Sequence, residues 1–364
     1  MHLSRTIPSL RSGPDRERGF TLVELMISVG LSLMILAGLL SVFVNNSNTR
    51  KEIERTTRQI ENGRYAVELL SGNLMHAGFY AEFDPTLVPV PGALIDACST
   101  AAADISAGLA LPIQGYRSAT ASTAGLSCLT DLKDGTDVVV VRRSSTCVAG
   151  TAGCDALTSG AFYYFQASLC NPTTGNAELA SADVAQWYRL DSNTANLDRR
   201  RRTCMVAGCT CTSPVPLADI RRYHTHIYFV ANNSVGSDGV PTLKRAELTG
   251  GGFTVVPLVE GIENLKLEYG IDSNGDGMPE AYSPTPDTYN GCAAAACAVT
   301  NWRDVTTAKI FLLARNTEPS SGYTDNKTYA LGSATPAAAT LDAYRRHVFN
   351  TTVKLVNVAG RRGI

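Results

Sequence analysis

Nine consecutive residues, Asp272-Ser273-Asn274-Gly275-Asp276-Gly277-Met278-Pro279-Glu280, carry the sharpest chemical pattern in the chain. Oxygen-bearing side chains at positions 1, 3 and 5, then Gly at position 6, reproduce the opening of a calcium loop. In that reading Asp272, Asn274 and Asp276 supply side-chain oxygens. Gly277 lets the chain turn so that the Met278 carbonyl faces the ion. An EF-hand needs Glu at position 12, but that position is Ser283, and Pro279 and Pro284 prevent a following helix. Glu280 would then complete a cage of another kind. The competing reading is a Gly-Asn-Asp turn capped by its own side chains.

Other groupings are less specific. His224-x-His226 sits on a strand candidate, and alternation puts both imidazoles on one face. A metal is conceivable there, but no third ligand is placed by sequence, and an ordinary surface strand is the expectation. Arg199-Arg200-Arg201-Arg202, with Arg221-Arg222 following, could grip DNA phosphates; the usual meaning of such a run is a solvated loop. Ten cysteines are many for a reducing cytosol. Cys204-x4-Cys209-x-Cys211 lacks the paired C-x2-C spacing of structural zinc, so disulfides are expected. Cys292 with Cys297 and Cys147 with Cys154 are the expected local pairs, while Cys209 and Cys211 should point to different partners. There is no G-x-S-x-G elbow, P-loop or H-E-x-x-H helix, so no enzyme is expected.

One carboxylate stands apart. The run from Phe20 to Val44 contains a single charge, Glu24. About 20 apolar helical residues suffice to cross a bilayer. A carboxylate there marks function by default, with a neighbouring subunit's cation as its natural partner; the alternative is a carboxylate near the interface, protonated or snorkelling. Arg5, Arg11, Arg16 and Arg18 precede the run and should hold that end in the cytoplasm. The rest of the chain would be exported, in agreement with the cysteines.

The elements that must position these residues follow from composition and periodicity. The 364 residues carry 32 basic and 33 acidic side chains, which argues against a dedicated nucleic-acid binder. No proline occurs between Phe20 and Asp84. Ile53, Ile60, Val67 and Leu74, with Leu70 and Ala77, predict an amphipathic continuation of the apolar helix, stopping near Gly78. Beyond it, strand candidates lie at 137–141, 161–165, 225–230, 254–259, 265–269, 309–314 and 351–356, separated by turns without a βαβ rhythm. The expected fold is α+β: a long N-terminal helix packed on an antiparallel, β-rich, disulfide-containing head.

At the N-terminus, Arg18-Gly19-Phe20-Thr21-Leu22-Val23-Glu24-Leu25-Met26 resembles the class III signal of type IV prepilins and pseudopilins. The resemblance implies cleavage between Gly19 and Phe20 by prepilin peptidase and methylation of Phe20. It also implies an assembly contact between Glu24 and a neighbour's N-terminal amine. The stretch Asn62 to Phe79 is similar to the helix end of PilW-type minor pilins. So are the segments Thr306 to Pro319, Thr328 to Gly332 and Arg345 to Val358 to their closing strand pair. The implied fold is type IV pilin-like: leader 1–19, helix 20–80 with 20–44 in membrane or fibre core, and head 81–364. The implied function is assembly and priming of type IV pili, supporting twitching motility and adhesion. The implied partners are other minor and major pilins, the inner-membrane assembly platform and a PilY-like tip protein. The chain would be single-pass in the inner membrane with a periplasmic head, then surface-exposed in the pilus. Similar DxNGDG loops are common in PilW-like heads, and the resemblance leans the 272–280 loop toward calcium. A type II secretion minor pseudopilin and a tip adhesin or DNA-uptake receptor are the alternatives.

Overall fold

The computed structural model describes residues 19–170, 178–179, 181–201, 216–336 and 339–362. Arg5, Arg11, Arg16, Arg18, Arg202, Cys204, Cys209 and Cys211 lie outside the described residues. The chain separates into two compact units, one ending at Glu54 and the other beginning at Arg55. A single helix, α1 (Leu22–Met75), runs through both. Thr21 begins it: the Thr21 hydroxyl accepts from the Glu24 amide at 3.2 Å, filling one of the first turn's orphan donors. It ends where Gly78, at φ +73°, turns the chain and donates its amide to the Arg142 carbonyl. Residues 19–46 are exposed throughout.

The buried stripe of the second unit's helix is Gln59, Gly63, Ala66, Leu70 and Leu74. This differs from the expected heptad. Ile53 is exposed, while Ile60 and Val67 are only half-buried. Gly63 and Ala66 let the neighbouring strands approach the helix closely. A Cβ on Gly63 would run into the Phe349 ring. Gln59 is tolerated in this stripe because its amide donates to the Ala314 and Arg345 carbonyls, at 2.7 and 2.9 Å.

Eleven strands, all paired antiparallel, form two sheets among the described residues. The larger contains β1 (Ile113–Ala119), β2 (Thr136–Ser144), β3 (Tyr164–Ala167), β4 (Tyr188–Asp191), β5 (Ile220–Ala231), β6 (Thr242–Thr249) and β7 (Gly252–Glu260). The smaller is ordered β11-β10-β8-β9, from β8 (Ile262–Ile271), β9 (Ala281–Ser283), β10 (Val305–Arg315) and β11 (Arg346–Lys354). Helices α2 (Ala102–Ala107), α3 (Ala295–Arg303) and α4 (Val356–Ala359) are short. The α+β expectation holds, with β3 and β11 displaced by a few residues from the predicted runs and Val356 in α4 instead of a strand.

Strand β5 is the axis of the larger sheet. One edge pairs with β2. The other pairs with β3 up to Arg222 and with β6 from His226 onward, so the sheet forks there. Gly261, at φ +79°, is the single residue between β7 and β8 and carries the chain from one sheet to the other. A Cβ there would meet the Arg315 carbonyl at 2.6 Å. The main core joins three surfaces: Ala66, Leu70 and Leu74 of α1, Val139, Tyr228 and Leu243 of the larger sheet, and Leu265, Leu267, Ile310 and Leu312 of the smaller. Val138, Val140, Ile227 and Phe229 face the other way, beneath a segment held by the Cys98–Cys128 disulfide. Both faces of β2 and β5 are thus covered, which explains their near-continuous apolar runs.

The sheets are tied by a buried ion cluster. Asp137 of β2 accepts from the Lys266 ammonium (2.9 Å), the Leu267 amide (3.0 Å), the Ser118 amide (2.8 Å) and Arg117 (3.1 Å).

Gly63→Val is expected to destabilise the head by about 1–3 kcal/mol through overpacking. Urea unfolding of full-length protein in detergent measures it. Adding Phe349→Ala should recover part of the loss; strictly additive effects would show that the two residues do not share this space.

Candidate functional site

The calcium-type loop connects β8 to β9. Asp272 is fully buried at its base, and its two carboxylate oxygens accept from the Gly275 amide (2.6 Å) and the Gly277 amide (2.9 Å). Gly275 and Gly277 both take positive φ, as so tight a turn requires. Asn274 and Asp276 cap each other's neighbours: the Asp276 amide donates to the Asn274 side-chain oxygen and the Met278 amide to Asp276. Glu280 accepts from the Ser273 amide and hydroxyl at 2.7 and 3.1 Å. Asp272, Asp276 and Glu280 each offer a carboxylate oxygen, and the three lie within 4.8 Å of one another. The set is hard, oxygen-only and anionic, suited to a divalent cation such as calcium. The Met278 side chain is exposed. One participant escaped sequence reasoning: Arg362 lies 3.6 Å from Asp272 and donates to its carbonyl at 2.9 Å. Nothing local to the loop signals it.

The arginine run is engaged within the head. Arg199 is buried and pairs with Glu178 and Asp198, both at 3.5 Å. Arg201 pairs with Asp219. Arg222 reaches Asp155 and Glu247 and stacks on Phe162 with its guanidinium 3.5 Å from the ring centre. The expectation of a wholly solvated loop is therefore corrected at Arg199. His224 and His226 share a face, as alternation requires, but both are buried; β5 is flanked on both edges, so this is no surface strand. Cys147 is bonded to Cys154 and Cys292 to Cys297. The Cys98–Cys128 bridge spans 30 residues, and its spacing carries no local signal.

A cleft of about 600 Å³ opens between the sheets near the ion cluster, within the size range of small-ligand sites. Arg117, Lys133, Lys266, Lys327, Tyr329 and Arg346 lie along it. Arg346 is its most constrained wall. It donates to Asp342 (2.6 Å), Asp325 (2.9 Å) and Glu263 (3.1 Å). That hydrogen bonding holds the Asp342 carboxyl down at about 2 from an ordinary 3.8.

A carboxyl lowered on folding contributes stability above its unfolded pKa and loses it as pH falls toward the folded one. Between about pH 4 and pH 2 this wall should loosen. The carboxylate is 30% exposed, so screening limits the effect to about 1 kcal/mol. Hydrogen exchange around Asp342 should rise over that interval, and Asp342→Asn should raise it already at neutral pH and remove the step.

At the other end of the chain, the first half of α1 is long and apolar enough to cross a membrane. Gly19 and Phe20 lie just before the helix, and Glu24 in its first turn. A family model described as prokaryotic N-terminal methylation motif matches residues 14–40. Another, described as type IV pilus-assembly protein W, matches residues 227–357. This second match begins within β5 and runs through both β10 and β11. No curated protein and no solved structure matches the chain. The methylation signal ahead of a membrane-length helix, and the PilW match over the head's closing sheet, support a PilW-type minor pilin of the type IV pilus.

Proposed function

We propose that this minor pilin is cut between Gly19 and Phe20 by prepilin peptidase, methylated on Phe20, and built into the pilus through the apolar half of α1. The carrying observation is the exposed apolar stretch from Phe20 to Val44 with one ionisable side chain, Glu24. A lone carboxylate in an apolar fibre core is tolerable only when paired. A neighbour's N-terminal amine is the nearest cation that processing creates, so Glu24 selects register during assembly. Before assembly the chain is held in the inner membrane with its head periplasmic; afterwards it lies in the surface pilus. Its role is structural, priming fibres used in twitching motility and adhesion. Its partners are major and minor pilins, the assembly platform and a PilY-like tip protein. The PilW match favours a pilus over a type II secretion pseudopilus.

Mass spectrometry of the mature protein should find methylated phenylalanine at the N-terminus; an intact leader removes the processing step. Glu24→Ala should lower incorporation into sheared pili, and unchanged incorporation removes the pairing argument.

Calcium is the ion this reading assigns to Asp272, Asn274, Asp276, the Met278 carbonyl and Glu280, with the loop's convergent carboxylates as support. It would pin the β8–β9 turn. Calcium at a hundred times its dissociation constant should stabilise the head by about 2.7 kcal/mol. Thermal unfolding in calcium against chelator reads this, and Asp276→Ala should abolish the difference. An equal melting temperature in both conditions rejects the site.

A second reading, a tip subunit whose head captures a ligand, draws on the cleft beside Lys327 and Tyr329. DNA capture by Arg199 to Arg202 draws on less, since Arg199 and Arg201 already pair with carboxylates.

A further inference from the structure

The fork in the larger sheet gathers three donor atoms that neither pilus assembly nor the calcium loop uses. His224 Nδ1 and His226 Nε2 each lie 3.6 Å from one oxygen, Oε1 of Glu247. Glu247 is the direct cross-strand partner of His226. The three atoms lie within 4.8 Å of one another. His224 and His226 are 8% and 3% exposed, and both of these nitrogens lack any hydrogen-bond partner. An unsatisfied buried polar atom costs about 1–3 kcal/mol, and here two of them aim at one point.

The separation discriminates between explanations. At 3.6 Å the nitrogens are too far for good hydrogen bonds to the carboxylate. Ligands on a tetrahedral zinc ion, with bonds of about 2.1 Å, stand about 3.4 Å apart. We propose that His224, His226 and Glu247 form a zinc-type metal site, with water as the fourth ligand, that fastens β5 to β6 at the fork.

The surroundings fit a metal that prefers imidazole. His226 Nδ1 lies 3.3 Å from Asn73 Oδ1 on α1, so a proton held there leaves the Nε2 lone pair for the ion. Burial keeps His226 neutral, its pKa lowered to about 3, and lowers His224 as well. Arg222 and Arg245 both pair with the Glu247 carboxylate. Arg245 donates to its other oxygen at 3.0 Å. Arg143 packs on the same face, opposite His224 on β2. Two imidazoles with a single carboxylate are not the oxygen-only set that calcium or magnesium takes, and favour zinc, copper or nickel. Arg222 also touches Oε1 and would yield it on metal entry, keeping Asp155 at 3.2 Å and its seat on Phe162.

The test uses full-length protein in detergent, stripped with chelator and dialysed against micromolar zinc chloride. Wild type should retain one equivalent by elemental analysis. With cobalt(II) chloride it should show the visible bands of a tetrahedral nitrogen–oxygen site. His226→Gln should lose both signals, while His76→Ala and Asp276→Ala keep them. Should His226→Gln fail to fold, Asn73→Ala serves in its place, with zinc affinity about 10- to 100-fold weaker. Wild type that retains no zinc and shows no tetrahedral cobalt bands overturns the site. So does zinc that survives in both His226→Gln and Asn73→Ala, or that disappears in His76→Ala.

Discussion

Asp137 is a buried carboxylate whose oxygens are fully occupied, and two sheets meet on it. Two of its donors belong to β8 of the smaller sheet, the Lys266 ammonium and the Leu267 amide, while Asp137 itself sits on β2 of the larger. Removing the Asp137 carboxylate would leave the buried Lys266 ammonium without its counter-charge, which typically costs about 3–5 kcal/mol. The apolar floor under α1 exists only where these sheets are held together, since its residues come from both. The cleft beside Lys266 is bounded by the same junction. Helix docking and ligand space are therefore two results of one electrostatic contact.

Local chemistry was legible in the sequence, and non-local placement was not. The end of α1 could be read because Gly78 acts within a few residues. The face of α1 that docks could not. A heptad of Ile53, Ile60, Val67 and Leu74 looks like the stripe, but the partner surface selects Gly63 and Ala66 so that Phe349 can approach. Nothing near Gly63 announces a ring 286 positions later. The same distinction governs the histidines. Alternation correctly gave them a shared face, whereas their burial depends on β2, β3 and β6 flanking β5, a fact of topology. Glu247 became their neighbour only through strand register.

The arginines show how charge patterning misleads when counted along the chain. A run of like charges reads as a solvated or phosphate-binding surface because its counter-ions are invisible in sequence. Asp198 adjoins the run, but Glu178, Asp219, Asp155 and Glu247 are drawn in from elsewhere in the chain. The loop before β9 is the contrasting case. Its side chains and their amide partners lie within nine residues, so the sequence could offer both a calcium cage and a self-capped turn, whereas Arg362 had no local signal.

The surface that receives α1 has a consequence for synthesis. Gln59 is clasped by the Arg345 carbonyl, Gly63 by Phe349, and the helix end by Asn357, which donates to the Ala77 carbonyl from 280 positions downstream. The helix thus leaves the ribosome long before the residues that close over it. A chain interrupted before Arg345 would keep the floor supplied by β2, β5, β6, β8 and β10 but lack the contacts to Gln59, Gly63 and Ala77. The contacts that close over the helix are thus the last part of the head to be made.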